Sequence, residues 1–219
     1  VKSKCPGDNK NLPLLLWGLN LSAETKMAKN KKQDILKAAA NLFSSQGYNN
    51  STTLQIAKEA RVTEPLLYYH FQGKEEIFTT IIQEAFQEYV RQIHSLPGNT
   101  KTEFEKIASL IRLHMHIGET DSPDFKLIMS NCPSKLVSKK HACRDIQQKQ
   151  QEIVSSYIRD CLEAGNAKGE FEAQPVDHMT LILLSLINEF LYMKIMSKKQ
   201  FQPDEQSVME FCKRSLLPS

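Results

Sequence analysis

A chain of 219 residues, 41% of them hydrophobic, carries enough apolar material for one large or two smaller packed domains, which excludes a disordered polymer. Few glycines (8) and prolines (9), no alternating β-branched runs, and long stretches with apolar residues three and four apart predict an all-α protein. The formal net charge of +3 does not by itself mark a nucleic-acid binder.

Residues 1–26 do not share the pattern of the rest. Three lysines, Lys2, Lys4 and Lys10, precede the apolar run Leu12 to Leu16, Trp17 and Leu19, which imitates a secretory signal but is short and interrupted by Asn20. Met27, Ala28 and a lysine-rich segment then have the form of a translation start, so residues 1–26 are expected to be a disordered or non-native extension. Residues 27–75 form the next expected unit and 76–219 the last.

Helical periodicity begins at Lys31, with Ile35, Ala38, Ala39, Leu42 and Phe43 on one face and Gly47 as the stop. Thr52 and Gln55 have capping-box spacing, so a second helix starts there, with Ile56, Ala57 and Ala60 as its apolar edge. Val62 fills the turn and Thr63 caps a third helix. Two helices with so short a connection form a helix-turn-helix, whose second helix is shaped to enter a major groove. The shared core is expected from Ile35, Leu42, Phe43, Ile56, Ala57, Val62, Leu67 and Phe71. Between Met27 and Lys74 seven Lys and Arg face three acids, Asp34, Glu59 and Glu64, so the basic excess sits around this unit.

Lys74 to His94 reads as one long helix with two adjacent apolar rows, more than a solvated helix needs, and so as the mechanical link between the small unit and a larger body. Pro97, Gly98 and Asn99 break it. Further helices are predicted from Phe104 to Met115, Pro123 to Ser130, Leu136 to Glu163 with a close at Ala164-Gly165, and Val176 to Ser197, followed by a last one bearing Val208, Phe211, Cys212 and Leu216. The Val176–Ser197 helix is apolar nearly all round; His178, Asn188, Glu189 and Lys194 and its short continuous run argue against a membrane span. It and the last helix are expected to meet their copies in a homodimeric four-helix seam.

The run from Ile35 to Lys74, and especially Gly47-Tyr48, Ile56-Ala57, Val62-Thr63, Leu67-Tyr68-Tyr69-His70-Phe71 and Lys74, resembles the DNA-binding domain of the TetR family of bacterial transcriptional regulators. The resemblance implies an N-terminal three-helix helix-turn-helix domain followed by a helical ligand-binding and dimerisation bundle. It implies a cytoplasmic homodimeric repressor that binds a palindromic double-stranded DNA operator and releases it when a small hydrophobic effector enters the body. By match to the family pattern, Thr52, Tyr69, His70 and Lys74 would hold the DNA backbone, with Thr63 helping. Glu64, Pro65, Leu66 and Tyr68 would lie near the groove floor, where the apolar Pro65 and Leu66 suit thymine methyl groups. Arg61 stands where the family often has glycine; if that residue needs a positive φ, the cost is about 1 kcal/mol.

In the body, Phe104, Ile111, His114, Met115, Phe125, Tyr157 and Cys161 are the candidate pocket residues, each with ordinary core packing as the alternative. Neither metal nor cofactor is expected: His114 and His116 are two residues apart on a helix and diverge, and His141 with Cys143 has the same defect. The cysteines at 5, 132, 143, 161 and 212, odd in number and without a Cys-x-x-Cys pair, are expected to be buried free thiols in a reducing cytosol. No catalytic serine-histidine, phosphate-loop or paired-carboxylate pattern stands out, so the expectation is not an enzyme. Two rival readings stay open: a nucleoid-associated or architectural DNA-binding factor of the same fold, and a ligand- or partner-binding bundle with a vestigial helix-turn-helix.

Overall fold

The computed structural model describes residues 15–98, 101–130, 132–136, 142–172, 175–196 and 204–218. Among these residues the secondary structure is all helical: α1 (Leu15–Gln46), α2 (Thr53–Glu59), α3 (Glu64–His70), α4 (Lys74–His94), α5 (Glu103–Glu119), α6 (Pro123–Met129), a 3-10 turn (Ser134–Leu136), α7 (Ala142–Lys168), α8 (Val176–Met196) and α9 (Glu205–Leu216).

Helix α1 is longer than its periodicity predicts. Its backbone runs back to Leu15; residues 1–14 of the expected extension lie outside the described residues. Between Leu19 and Gln46 there is neither glycine nor proline to stop a helix. At the other end Gly47 takes φ 86°, the left-handed stop expected of it.

The expected capping box is present. The Thr52 hydroxyl accepts from the Gln55 backbone N–H at 3.2 Å, and the Gln55 side-chain oxygen accepts from the Thr52 N–H at 2.9 Å. Thr63 accepts from the Leu66 N–H at 3.3 Å and Pro65 sits in the first turn of α3, where its missing donor costs nothing. The turn between α2 and α3 uses Arg61 at φ 53°, the left-handed conformation that glycine usually supplies.

Ile35, Phe43, Ile56, Ala57, Leu67 and Phe71 are buried as expected, whereas Leu42 and Val62 are partly buried at the edge of that core. Phe78 of α4 completes it. Its ring packs 5.7 Å from Phe43 and 5.2 Å from Tyr48, and those two lie 5.4 Å apart. Both apolar rows of α4 are used, with Ile77, Ile81, Ala85 and Tyr89 buried alongside Phe78 and Ile82.

The body packs α5, α7 and α8 together, with α6 lying against both α1 and α4. The Glu170 carboxylate accepts from the first backbone donors of α5, Glu103 N at 2.8 Å and Phe104 N at 2.7 Å. Glu103 is itself buried and held by Lys168 at 2.6 Å and Lys106 at 3.0 Å. By length and composition Val176–Lys194 qualifies as a membrane span, so continuous length is a weaker objection than the sequence reading made it. What the fold shows is that Leu183, Leu184, Ile187 and Leu191 on one face of α8 are buried, while Leu181 and Ile182 on the other are 62% and 49% exposed.

Two expectations are corrected. Cys132 and Cys143 pair as a disulfide with Cα atoms 6.0 Å apart, because the turn after α6 brings Cys132 back over the start of α7; Cys161 and Cys212 are the buried free thiols, and Cys5 lies outside the described residues. Helix α7 also does not stop at Gly165. It continues to Lys168 and ends at Gly169, φ 67°, while Gly165 is the floor on which the Phe171 ring rests.

A Cβ at position 165 would meet the Phe171 ring at 2.1 Å. Gly165→Ala is therefore expected to lower unfolding free energy by about 1–3 kcal/mol despite alanine's better helix propensity, as read by urea denaturation.

Candidate nucleic-acid interface and sensor cavity

The face built by α2 and α3 gathers the candidate residues of the helix-turn-helix. Thr52, Thr63, Pro65, Tyr68 and Tyr69 are exposed there, with Tyr69 at 79% and Tyr68 at 53%; Glu64, Leu66, His70 and Lys74 are half-buried. The Tyr69 and His70 rings meet edge-on at 5.1 Å, and His70 Nε2 is buried without a hydrogen-bond partner. Their common face is what positioning on DNA requires.

Two of these side chains have work inside the domain. Lys74 Nζ donates to the carbonyls of Tyr48 and Ser51, both at 2.8 Å, and lies 4.4 Å from the centre of the Tyr48 ring. Burial, and secondarily the positive charge of Lys135, lower its pKa from the usual lysine value. Its ammonium is thus engaged in tying the α1–α2 loop to the start of α4. Glu64, awkward near phosphates, accepts from the Thr53 hydroxyl at 3.2 Å, and the same hydroxyl lies 3.1 Å from the Tyr68 hydroxyl. This Thr53-centred network aligns the first turn of α2 with α3. Sequence reading missed Thr53 because positions 53, 64 and 68 share no single-helix period. It also missed Leu54, 63% exposed, although that residue falls off the Ile56-Ala57-Ala60 edge.

The candidate pocket residues of the body do not line one cavity. Phe104, Ile111 and His114 are buried in the core, and Phe125 is partly buried against it. Met115 borders an open cleft of about 560 Å³ with Arg112, His116 and Glu119. Tyr157 and Cys161 border another of about 330 Å³, and burial pushes the phenol and the thiol each up to about 12. A third cavity, of about 500 Å³, lies between α4, α6, α7 and α8. Its floor is Tyr89 and its apolar walls include Met129, Val154 and Leu184. The amides of α7 at 147, 150 and 151 are half-buried or exposed and escape an apolar-periodicity search, so they were not foreseen.

His114 touches that cavity through Tyr89. The Tyr89 hydroxyl and His114 Nε2 are 2.8 Å apart, and His114 Nδ1 is 2.8 Å from the Leu110 carbonyl. A carbonyl only accepts, so Nδ1 carries the proton and Tyr89 donates to Nε2. Burial drives the histidine pKa down and the Tyr89 pKa up, which keeps both neutral. Among the described residues, no three His, Cys, Asp or Glu side chains assemble as a metal site.

Residues 35–81 match the family described as bacterial regulatory proteins, tetR family. This stretch is a TetR-family DNA-binding domain. The relatives it resembles are distant. The HTH-type transcriptional regulator HbdR of Aromatoleum sp. (strain CIB) is 23% identical over 142 residues, 65% of this chain but only 62% of that protein. The nucleoid occlusion factor SlmA of Vibrio atlanticus (strain LGP32) is 26% identical over 179 residues, 80% of this chain and 89% of that one. The crystal structure of AibR in complex with isovaleryl coenzyme A and operator DNA superposes with a TM-score of 0.68 at 16% identity, covering 86% of this chain and all of that one, and shows the shared fold. A TetR-family domain is the DNA-binding part of a transcriptional regulator, and regulators of that family are non-enzymatic.

Two measurements probe this TetR-family geometry. Lys74→Met removes a charged donor from two carbonyls and is expected to cost about 2 kcal/mol in urea denaturation. His114 has a folded pKa below the ordinary value of 6.5, so the unfolded chain takes up a proton first; stability is full above that pH and falls as pH drops through it, toward a limiting slope of about 1.4 kcal/mol per unit. The urea midpoint should therefore decline between pH 7.5 and 5.5, and a His114→Gln variant should lose that part of the decline.

Proposed function

We propose that the chain is a ligand-responsive repressor that binds a palindromic operator as a homodimer and leaves it when a small effector occupies the body. The observation that carries this reading is the continuity of α4: Phe78, near one end, is packed inside the helix-turn-helix core, and Tyr89, about three turns on, is the floor of the cavity between α4, α6, α7 and α8. An occupant that favours one placement of Tyr89 biases the placement of the reading helix. The backbone clamps would be Thr52, Tyr69 and His70, with Pro65, Leu66, Tyr68 and the newly exposed Leu54 at the bases. AibR, solved with a coenzyme A thioester and operator DNA, is a relative in fold for which both partners are known.

The dimer is proposed along α8 and α9, where Leu181, Ile182, Tyr192 and Phe211 are each about half exposed or more. A partner helix pair covers them better than a bilayer would, since α8 also exposes His178, Asn188 and Glu189. A cytoplasmic location follows from that reading. The similarity to SlmA supports a second reading, a nucleoid-associated factor acting at many sites.

A dimer must hold its reading helices about 34–36 Å apart to meet successive major grooves. Leu181→Asp combined with Phe211→Asp is therefore expected to give monomers in analytical ultracentrifugation and to weaken binding to the DNA flanking the gene by about a hundredfold or more. Monomers that retain operator affinity would end the dimeric reading, and footprints scattered over the genome without a shared palindrome would favour the architectural one.

A further inference from the structure

The cavity floored by Tyr89 is unusual in how its polar groups are already committed. Gln147 donates its side-chain N–H to the Ser130 carbonyl at 3.0 Å, and Gln150 donates to the Met129 sulfur at 2.8 Å and lies close enough to Tyr89 to lower its pKa against burial. The Tyr89 proton is given to His114, and the Ser185 hydroxyl donates to the Leu181 carbonyl at 2.8 Å. One N–H of each amide and both hydroxyl protons are thus turned away from the cavity. Each amide keeps a second N–H beside its oxygen, and the two amide oxygens and the lone pairs of Ser185 remain as acceptors.

The charge balance agrees. Among the described residues lining the cavity, Glu189 is the one charged side chain, and no Lys, Arg or His lines it. An anionic occupant would meet the Glu189 carboxylate with no cation to receive it. The exposed amides of Gln151 and Asn188 can turn either end inward, so they do not reverse this preference. Aromatic rings of Tyr89 and Tyr192 and the apolar walls suit the body of an organic molecule.

We propose that this cavity takes a compact organic cation, an amine or ammonium with an apolar body, its charge set against Glu189 and its N–H groups on the Gln147 and Gln150 oxygens. The proposal rests on the reading of the body as a sensor and replaces the hydrophobic effector expected from the family resemblance with one of defined charge.

Three probes of one shape separate the possibilities: 4-phenylbutylamine, protonated at neutral pH, 4-phenyl-1-butanol, and 4-phenylbutanoate. Calorimetric titration into the full chain should give an order of amine, alcohol, acid, with the amine about tenfold tighter than the alcohol. Glu189→Gln keeps the size and polarity of the side chain, so it should leave the circular dichroism unchanged while removing the amine's advantage, and Glu189→Lys should turn the preference toward the acid. Binding of none of the three, an alcohol or acid at least as tight as the amine, or an amine preference that survives Glu189→Gln would overturn the proposal. Operator affinity by fluorescence anisotropy, with each probe, tells the two readings apart. Selective amine binding with unaltered operator affinity keeps the cation site and defeats induction; operator release by the acid or alcohol alone keeps induction and defeats the cation site.

Discussion

The packing of Phe78 against Phe43 and Tyr48 is the constraint on which the rest of the molecule depends. A three-helix unit of this size has little core of its own, and these rings bring a residue from outside it into its centre. Lys74, one helical turn before Phe78, closes the same junction from above by bonding the Tyr48 and Ser51 carbonyls and lying over the Tyr48 ring. Helix α4 is consequently part of the DNA-binding domain at its start and part of the body from Ile81 onward. No flexible linker lies between the two, and motion of one is motion of the other.

Much of this architecture is written locally in the chain. Thr52 and Gln55, Thr63 and Pro65, and Gly47 act through bonds or backbone angles confined to a few residues, and each does in space what its position implies. Both rows of α4 were legible for a similar reason, since burial on two faces leaves two apolar stripes. The features that escaped sequence reading are those whose partners lie far away in the chain. Nothing in the position of Lys74 discloses the carbonyls of Tyr48 and Ser51 around it. Gly165 looks like a helix stop until Phe171 is seen upon it, and Cys132 and Cys143 look like isolated thiols until the turn after α6 brings them together.

The proposed sensor cavity shows the same limit more sharply. A search for apolar residues at helical spacing finds the core, and Phe104, Ile111 and His114 are core. A binding cavity is assembled instead from the margins of several helices, where the periodic stripe gives way to Gln147, Gln150, Ser185 and Glu189. Such residues have no signature of their own, because any solvated helix face contains them. Only their place around one cavity, visible once α6, α7 and α8 are packed together, gives them a common chemical sense.

Two walls of that cavity reach the DNA-binding domain by different routes. Tyr89 belongs to α4, which enters the small core through Phe78; Ile128 and Met129 belong to α6, which lies against α1 as well as α4. Asp124 at the head of α6 is poised in this second contact: burial and then Glu84 of α4 raise its pKa, while Lys37 of α1 opposes them. A rigid unit held at one point can pivot about it, but one held at two must move with the line that joins them. An occupant that separated α6 from α4 would therefore turn α1 relative to α4 and strain the Phe43–Phe78 contact, whereas one that moved both together would carry the reading helix as a body. The second route leaves the aromatic junction intact, and the close packing of that junction favours it.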